Sequence, residues 1–325
     1  MDEFNFIKAI KPKYYKHSSV VKGIGDDGAI IQPNYSQQLV IATDTMVENI
    51  HFSLEYMSFE DVGYRVLAAN LSDLAAMGSQ PLYYIVNISS SNQVSNQELV
   101  RIMNGMKELA DSYKMDLIGG DTTSSNQLVV TVTVFGQVDQ NKKRLRSVAK
   151  PGDSVFVTGY LGESGYGFKL LQLGDYQHHN HFIKQHIRPR PRLDFVNTTA
   201  TIDRICLNDV SDGLSSELNE IADASNVSML INWEDIPVHP DMTYLEGFEL
   251  EKLLLSTGED FQLVGTCSQN DLKQIQINCQ HAGIKVSKIG KVLDNNHDPT
   301  VYINKNGTKS RLDSQGYQHG KCKGD

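Results

Sequence analysis

Gly23-Ile24-Gly25-Asp26-Asp27-Gly28-Ala29 admits two readings, and the choice between them decides the fold. Its G-x-G-x-x-G spacing is the dinucleotide-binding fingerprint, and Asp44 lies near the acidic position expected downstream. That fingerprint needs a helix opening at its last glycine, so that helix-end amides face a pyrophosphate. Here Ala29-Ile30-Ile31-Gln32-Pro33 follows, a short apolar run stopped by proline, which predicts a strand. Two adjacent aspartates would also repel a bare pyrophosphate, whereas they would hold one through a divalent cation. A dinucleotide fold is therefore rejected. The stretch is either a metal-binding turn or an Asx-type turn with solvated acids.

The chain has 325 residues, 40% of them hydrophobic and 21% charged, which is room for two packed α/β domains. A formal charge of -9 with no basic block argues against nucleic-acid or anionic-membrane binding, so an anionic substrate would need metal ions. Cys206, Cys267, Cys279 and Cys322 show no C-x-x-C spacing, which predicts reduced thiols in a cytoplasmic protein. No apolar run reaches the roughly 18 residues of a membrane span.

Gln38 to Val47 begins as a β-rich run, and its end is predicted to deliver Thr43 and Asp44 at a strand terminus. Ser58-Phe59-Glu60-Asp61 resembles a capping box before a helix that Gly78 ends, with Asp73 late on it. Pro81 to Ser89 predicts a strand and Ser95 to Lys114 a capped helix. Leu117-Ile118 then leads into Gly119-Gly120-Asp121, either a turn or a place where the backbone approaches a ligand. Leu128 to Val138 alternates valine with threonine, as a strand with one buried face does.

A basic, proline- and glycine-bearing stretch (Lys142, Lys143, Arg144, Arg146, Lys150, Pro151, Gly152) marks a boundary near Arg146 to Gly152, between residues 1–148 and 149–325. Its cations read as solvated. Val155 to Gly159 restarts as a strand. The histidines His178, His179, His181 and His186 lack an ordered pair with a supporting carboxylate and read as a solvated loop. Asn208 to Leu218 predicts a strand end carrying Asp209 and Asp212 into a glycine turn and a helix. Ser256-Thr257-Gly258-Glu259-Asp260 precedes another strand, and the tail from Asp294 reads as polar and turn-rich.

Asp27, Asp44, Asp73, Asp121, Asp209 and Asp212 thus fall at element ends, turns or a helix. Magnesium takes one or two protein carboxylates and completes its octahedron with water and phosphate, so six acids suggest several ions around a polyphosphate. The chain has no G-x-x-x-x-G-K-[ST] loop and no H-R-D or D-F-G set, which excludes P-loop and protein-kinase scaffolds.

Asn70-Leu71-Ser72-Asp73-Leu74-Ala75-Ala76-Met77-Gly78 is the most specific segment of a set that spans the chain in order. The others are Gly23 to Asp27, Ala42 to Thr45, Ile118 to Thr123, Val210 to Leu214 and Gly258 to Asp260. Together they resemble the thiamine-monophosphate kinase family. The resemblance implies an α/β, two-domain fold like that of aminoimidazole ribonucleotide synthetase. Residues 1–148 would bind ATP and Mg2+ and join a second subunit through their sheet in a homodimer, and residues 149–325 would complete the active site. It implies ATP-dependent phosphorylation of thiamine monophosphate to thiamine diphosphate by direct transfer. Asp27, Thr43, Asp44, Asp73, Asp121, Asp209 and Asp212 would hold Mg2+, while Gly120, Asp121, Arg146 and Ser211 would contact the nucleotide. His51, Glu259 and Tyr317 would contact the thiamine part, and Asp121, Arg146 and Asp209 would serve catalysis. The chain departs from the family at Ala42, where a serine is usual, and at Ser314, where an aromatic residue is common. Two other readings stay open at this level: a different ATP-using synthetase of the same fold, and a non-catalytic module that binds nucleotide or metal.

Overall fold

The valine-threonine alternation of residues 128–138 becomes an interior strand of a four-stranded sheet in the computed structural model, which describes residues 3–24, 28–34, 36–175, 180–295 and 298–316. The chain divides into two units, Met1–Leu74 with Ser79–Gln140 and Ala75–Gly78 with Asn141–Asp325.

The first unit begins with α1 (Glu3–Ile10) and an antiparallel pair, β1 (Val20–Lys22) and β2 (Ile30–Ile31). It continues with β3 (Gln38–Val47), α2 (Phe59–Ala76), β4 (Gln80–Ser90), α3 (Asn96–Ser112), β5 (Asp116–Ser124) and β6 (Val129–Val138). The sheet order is β3-β6-β4-β5, with β4 and β5 parallel and the other pairs antiparallel. Pleating sends alternate residues to opposite faces. Val130, Val132 and Val134 are fully buried on one of them, while Leu39 and Ile41 of β3 remain 57% and 58% exposed on the other. Both helices start where capping chemistry predicts. The Asp61 amide donates to Ser58 Oγ and the Ser58 amide to Asp61 Oδ2, and Ser95 with Glu98 forms a complete capping box.

Thr43 and Asp44 lie inside β3 rather than at its terminus, because β3 stays in register with β6 as far as Val47 opposite Val129. Likewise Gly119-Gly120-Asp121 continues β5 and makes no turn. Gly120 sits at φ +156, and a Cβ there would stand 2.0 Å from the Val86 carbonyl oxygen. The glycine is thus required by the neighbouring strand.

The second unit contains β7 (Ser154–Thr158), α4 (Glu163–Gln172), α5 (His181–Ile187), α6 (Leu193–Thr198), β8 (Cys206–Asp209), α7 (Leu214–Ser225) and β9 (Ser228–Asn232). It ends with α8 (Gly247–Leu255), β10 (Leu263–Cys267), α9 (Gln269–His281), β11 (Val286–Leu293), β12 (Val301–Lys305) and β13 (Thr308–Arg311). Seven strands form one sheet in the order β13-β12-β9-β11-β7-β10-β8, with only β9 and β12 parallel. Val155, Val157, Met229, Ile231, Val264 and Ile289 pack in its core with Leu214, Leu218 and Ile221 of α7. Cys206, Cys267 and Cys279 are free and buried, and burial pushes the Cys206 and Cys267 thiols up to about 12, so they behave as apolar core groups. Cys322 lies outside the described residues. Among the described residues no helix is long and apolar enough to cross a membrane.

Two cations of the second unit are structural. Arg144, in the run read as solvated, is 3% exposed and donates to the carbonyls of Thr199, Ile202 and Asp203. Arg204 makes a two-pronged contact with Asp153, at 2.6 and 2.8 Å, and the Asp153 side chain is only 5% exposed. Arg204→Ala therefore leaves a nearly buried carboxylate without its cation. We expect a loss of about 3 kcal/mol in urea unfolding. Arg204→Lys should recover only part of it, because a lysine cannot reproduce the fork.

Candidate functional site

In the first unit the site residues are distributed by the pleat. Asp44 pairs with Val132, which pairs with Val86, and that buried row identifies the face against the helices. The Asp44 amide donates to Asn70 Oδ1 of α2 at 3.0 Å, and the Asn70 side chain is fixed in turn by donating to the Val66 carbonyl at 2.8 Å. Asp73 is three residues beyond Asn70 and so shares its side of the helix, which brings Asp44 and Asp73 to one region. Thr43 faces the other way, its hydroxyl bonded to Val132 O and Thr133 Oγ1. Asp121 pairs with Asn87, and Asn87 with Thr131, which sets its exposed carboxylate on the Thr43 side. His51 sits in the turn after β3, where its Nδ1 accepts from the Val47 amide at 3.1 Å, leaving Nε2 as the protonated nitrogen. Asp27 lies outside the described residues.

In the second unit, chain segments remote in sequence converge. Asp209 ends β8 and is 3% exposed, and Asp212 follows just before α7. The Glu259 amide donates to the Ser211 carbonyl at 2.7 Å, and the Phe261 amide to that of Val210 at 3.0 Å. Gly258 permits this approach, since a Cβ there would stand 2.2 Å from Ser211 O at a φ of +67. Glu259 and Phe261 are both left-handed, at φ 55 and 47, which is strain of a kind concentrated at functional segments. Ser211, Asp212 and Glu259 are therefore brought together. Residues 314–316 join them: Ser314 Oγ is 2.8 Å from Ser216 Oγ, and the Gly316 amide donates to that same hydroxyl. Ser314, the position where an aromatic residue is common, thus lies over the start of α7. Tyr317 is outside the described residues.

Arg146 reaches the same cluster. Its Nε donates to Asn208 Oδ1 at 2.9 Å and its Nη1 lies 3.0 Å from Glu220 Oε2, with the side chain still 51% exposed. Asn208 Nδ2 donates to both Glu217 and Glu220. Glu217 was not among the residues predicted from sequence, although it sits in the first turn of α7. It is 2% exposed and accepts from the Asp212 amide at 3.0 Å. Burial, and then the charge of Asp209, push its carboxyl up to about 8. Such a concentration of buried acid is what a bound cation relieves.

Within each unit, among the described residues, no three of the predicted acids bring ligand atoms within 4.8 Å of one another; the group that does is Glu163, His181 and His239. Sequence reading had left His181 in a solvated loop. It instead opens α5, with its side chain against the buried Glu163, and no local spacing announces that contact.

Known proteins agree with this architecture. Residues 25–138 match the family described as AIR synthase related protein, N-terminal domain, and residues 150–302 match its C-terminal domain. The thiamine-monophosphate kinase of Bacillus subtilis is 43% identical, with 98% of this chain and 99% of the relative covered. The crystal structure of thiamine-monophosphate kinase from Stenotrophomonas maltophilia superposes with a TM-score of 0.81 at 29% identity, over 94% of this chain and 96% of that one. A structure of AaThiL complexed with AMPPCP and TMP superposes with a TM-score of 0.74 at 26% identity, over 97% of both chains. Two matched domains and full-length likeness at this identity show that the chain belongs to the thiamine-monophosphate kinase family.

Proposed function

We propose that this chain transfers the γ-phosphoryl group of ATP to thiamine monophosphate, giving thiamine diphosphate and ADP. The observation that carries the reading is full-length similarity to enzymes of that name, one of them complexed with AMPPCP and TMP. The test is an incubation with ATP, Mg2+ and thiamine monophosphate. Thiamine diphosphate and ADP should appear in equal amounts. ADP with inorganic phosphate and no thiamine diphosphate would contradict the assignment and favour a different acceptor.

The acceptor governs the chemistry. A phosphate monoester has a second pKa of roughly 6, so at neutral pH its attacking oxygen needs no general base. The barrier is repulsion between two polyanions, and catalysis reduces to positioning and neutralisation. Arg146, half-exposed and oriented by Asn208 and Glu220, supplies a fixed cation for the nucleotide. Ser211 and Gly120 are the other proposed nucleotide contacts. His51 and Glu259, with Tyr317, are proposed to bind the thiamine part.

The acids fit Mg2+ by their chemistry. All are hard oxygen donors, and Asp209 lies buried beside Glu217, whose carboxyl its charge and burial push up. In the first unit Asp44 and Asp73 would hold an ion on the helix side of the sheet and Asp121 with Thr43 one on the other side, with Asp27 a further proposed ligand, and Asp209 and Asp212 would hold ions in the second. One or two carboxylates per ion suffice, because Mg2+ keeps its waters and takes phosphate oxygens. Bound there, Mg2+ would neutralise the phosphates and stabilise charge that develops in transfer. We further propose a cytoplasmic homodimer in which the uncovered face of the four-stranded sheet, carrying Leu39 and Ile41, meets a second copy.

His51→Ala tests the substrate assignment. The KM for thiamine monophosphate should rise by roughly 10-fold with kcat nearly unchanged. A loss of turnover at saturating substrate with unaltered affinity would assign His51 to chemistry instead.

A further inference from the structure

We propose that Glu163, His181 and His239 form a second metal site in this chain, built for a first-row divalent transition ion such as Zn2+ and separate in its chemistry from the oxygen-only acids. Ligand atoms of the three lie within 4.8 Å of one another. His181 Nε2 is 2.7 Å from Glu163 Oε1, and His239 Nε2 is 4.0 Å from the same oxygen. The two imidazoles stack, with centroids 4.9 Å apart and planes at 28°, so both present Nε2 to one point. Two imidazoles and a carboxylate suit Zn2+ and its neighbours, whereas Mg2+ selects oxygen.

Each ligand is held by a different element. Glu163 is the first residue of α4, and Asp260 pins that helix end by accepting from the amides of Gly162 at 2.7 Å and Ser164 at 3.0 Å. His181 opens α5, where Asn180 caps the helix by accepting from the Phe182 amide. His239 precedes Pro240, its ring packed edge-on against Tyr160 and Phe182. The Glu163 side chain is 7% exposed, and a carboxylate this buried requires a cation or strong donors. Among the described residues both ion pairs of Glu163 are with imidazoles. The His181 side chain is 49% exposed, which leaves a path for an ion and a coordination position for water.

An outer carboxylate is also in place. His239 Nδ1 accepts from the Asp241 amide at 3.2 Å, a tautomer that puts the proton on Nε2. Metal at Nε2 displaces that proton and requires Nδ1 to carry one instead. The Asp241 Oδ2 oxygen, 3.9 Å from Nδ1, can accept it, as carboxylates behind metal-bound histidines do. Tetrahedral coordination spaces ligand atoms by about 3.3 Å, so the Glu163 to His181 contact opens while the contact to His239 closes.

The experiment is Zn2+ titration of the full-length protein by calorimetry in excess Mg2+, which occupies the oxygen-rich acids, with thermal unfolding followed in parallel. One Zn2+ should bind per chain and raise the unfolding temperature. His181→Ala and Glu163→Gln should each weaken binding by on the order of 100-fold, and Asp241→Asn by on the order of 10-fold. His281→Ala, an exposed histidine elsewhere, should bind as the parent does. Circular dichroism checks that each variant is folded; should Glu163→Gln fail, His181→Ala carries the test, because its half-exposed ring is not needed for the core. Absence of a Zn2+ site in the parent, or Zn2+ binding that survives His181→Ala unchanged, would overturn the proposal and leave a carboxylate hydrogen-bonded to imidazole. Neither result depends on phosphoryl transfer.

Discussion

Asp121→Asn should lower kcat for thiamine diphosphate formation by ~1000-fold while leaving unfolding by urea within about 0.5 kcal/mol of the parent. The two halves of the expectation come from different facts. Asp121 is exposed on β5, and asparagine keeps its size and its backbone register opposite Asn87, so the sheet loses nothing. What disappears is one negative charge. If Asp121 holds a divalent cation against the triphosphate, an amide oxygen binds that cation far more weakly and the two anionic substrates again repel. The decisive comparison is activity against stability on the same preparation. Full activity would remove Asp121 from the site, and loss of cooperative unfolding together with activity would make it a structural residue.

Gly105→Ala should destabilise the protein by about 3 kcal/mol, with the sign itself informative. In a helix interior alanine is better than glycine by about 1 kcal/mol, so a solvent-facing Gly105 would yield a more stable protein. Here a Cβ on Gly105 would stand 1.9 Å from the Glu60 carbonyl oxygen, and one on Gly63 would stand 1.9 Å from that of Ile102. Helices α2 and α3 therefore cross backbone to backbone, with one glycine from each in the contact. Neither carbonyl can swing aside as a side chain would, so the helices must separate. Because α2 also carries Asn70 and Asp73, the variant should lose activity along with stability. Gly63→Ala combined with Gly105→Ala should cost less than the sum, since the first substitution already opens the crossing. A urea midpoint above that of the parent would refute the close crossing.

Local chemistry made much of the fold readable. Both capping boxes, Ser58 with Asp61 and Ser95 with Glu98, close as the sequence predicts, and Gly78 ends α2 at φ +71. The rejection of a dinucleotide fold holds, because Ile30 and Ile31 form a strand paired with Val20–Lys22. Errors arose where a local signal competed with partners that sequence does not display. A turn was one of two readings of Gly119-Gly120, yet its neighbour Val86 holds it in an extended strand. The polar tail hid a hairpin. Lys305 pairs with Thr308 across Asn306-Gly307, both at positive φ, and this dipeptide is a strong hairpin signal that the surrounding polarity masked.

Which of the candidate residues meet was legible in part for the same reason. Asp209, Asp212 and the Glu259-Asp260 pair stood out as acids near glycine, and the fold brings Glu259 to Ser211, next to Asp212, through a backbone hydrogen bond. Glu217 was missed because an acid in a first helical turn looks like ordinary dipole compensation. Its burial, which no spacing reveals, separates it from that role. His181 and Glu163 were missed because their meeting depends on how α4 and α5 pack.

The central claim is that divalent cations held by carboxylates let phosphoryl transfer pass directly between two anions. Rapid-quench kinetics with γ-labelled ATP, thiamine monophosphate and Mg2+ tests it most directly. Label should move from ATP to thiamine diphosphate with no labelled protein at any time, and chelation of Mg2+ should stop the transfer. Transient labelling of the chain, or undiminished transfer after chelation, would contradict it.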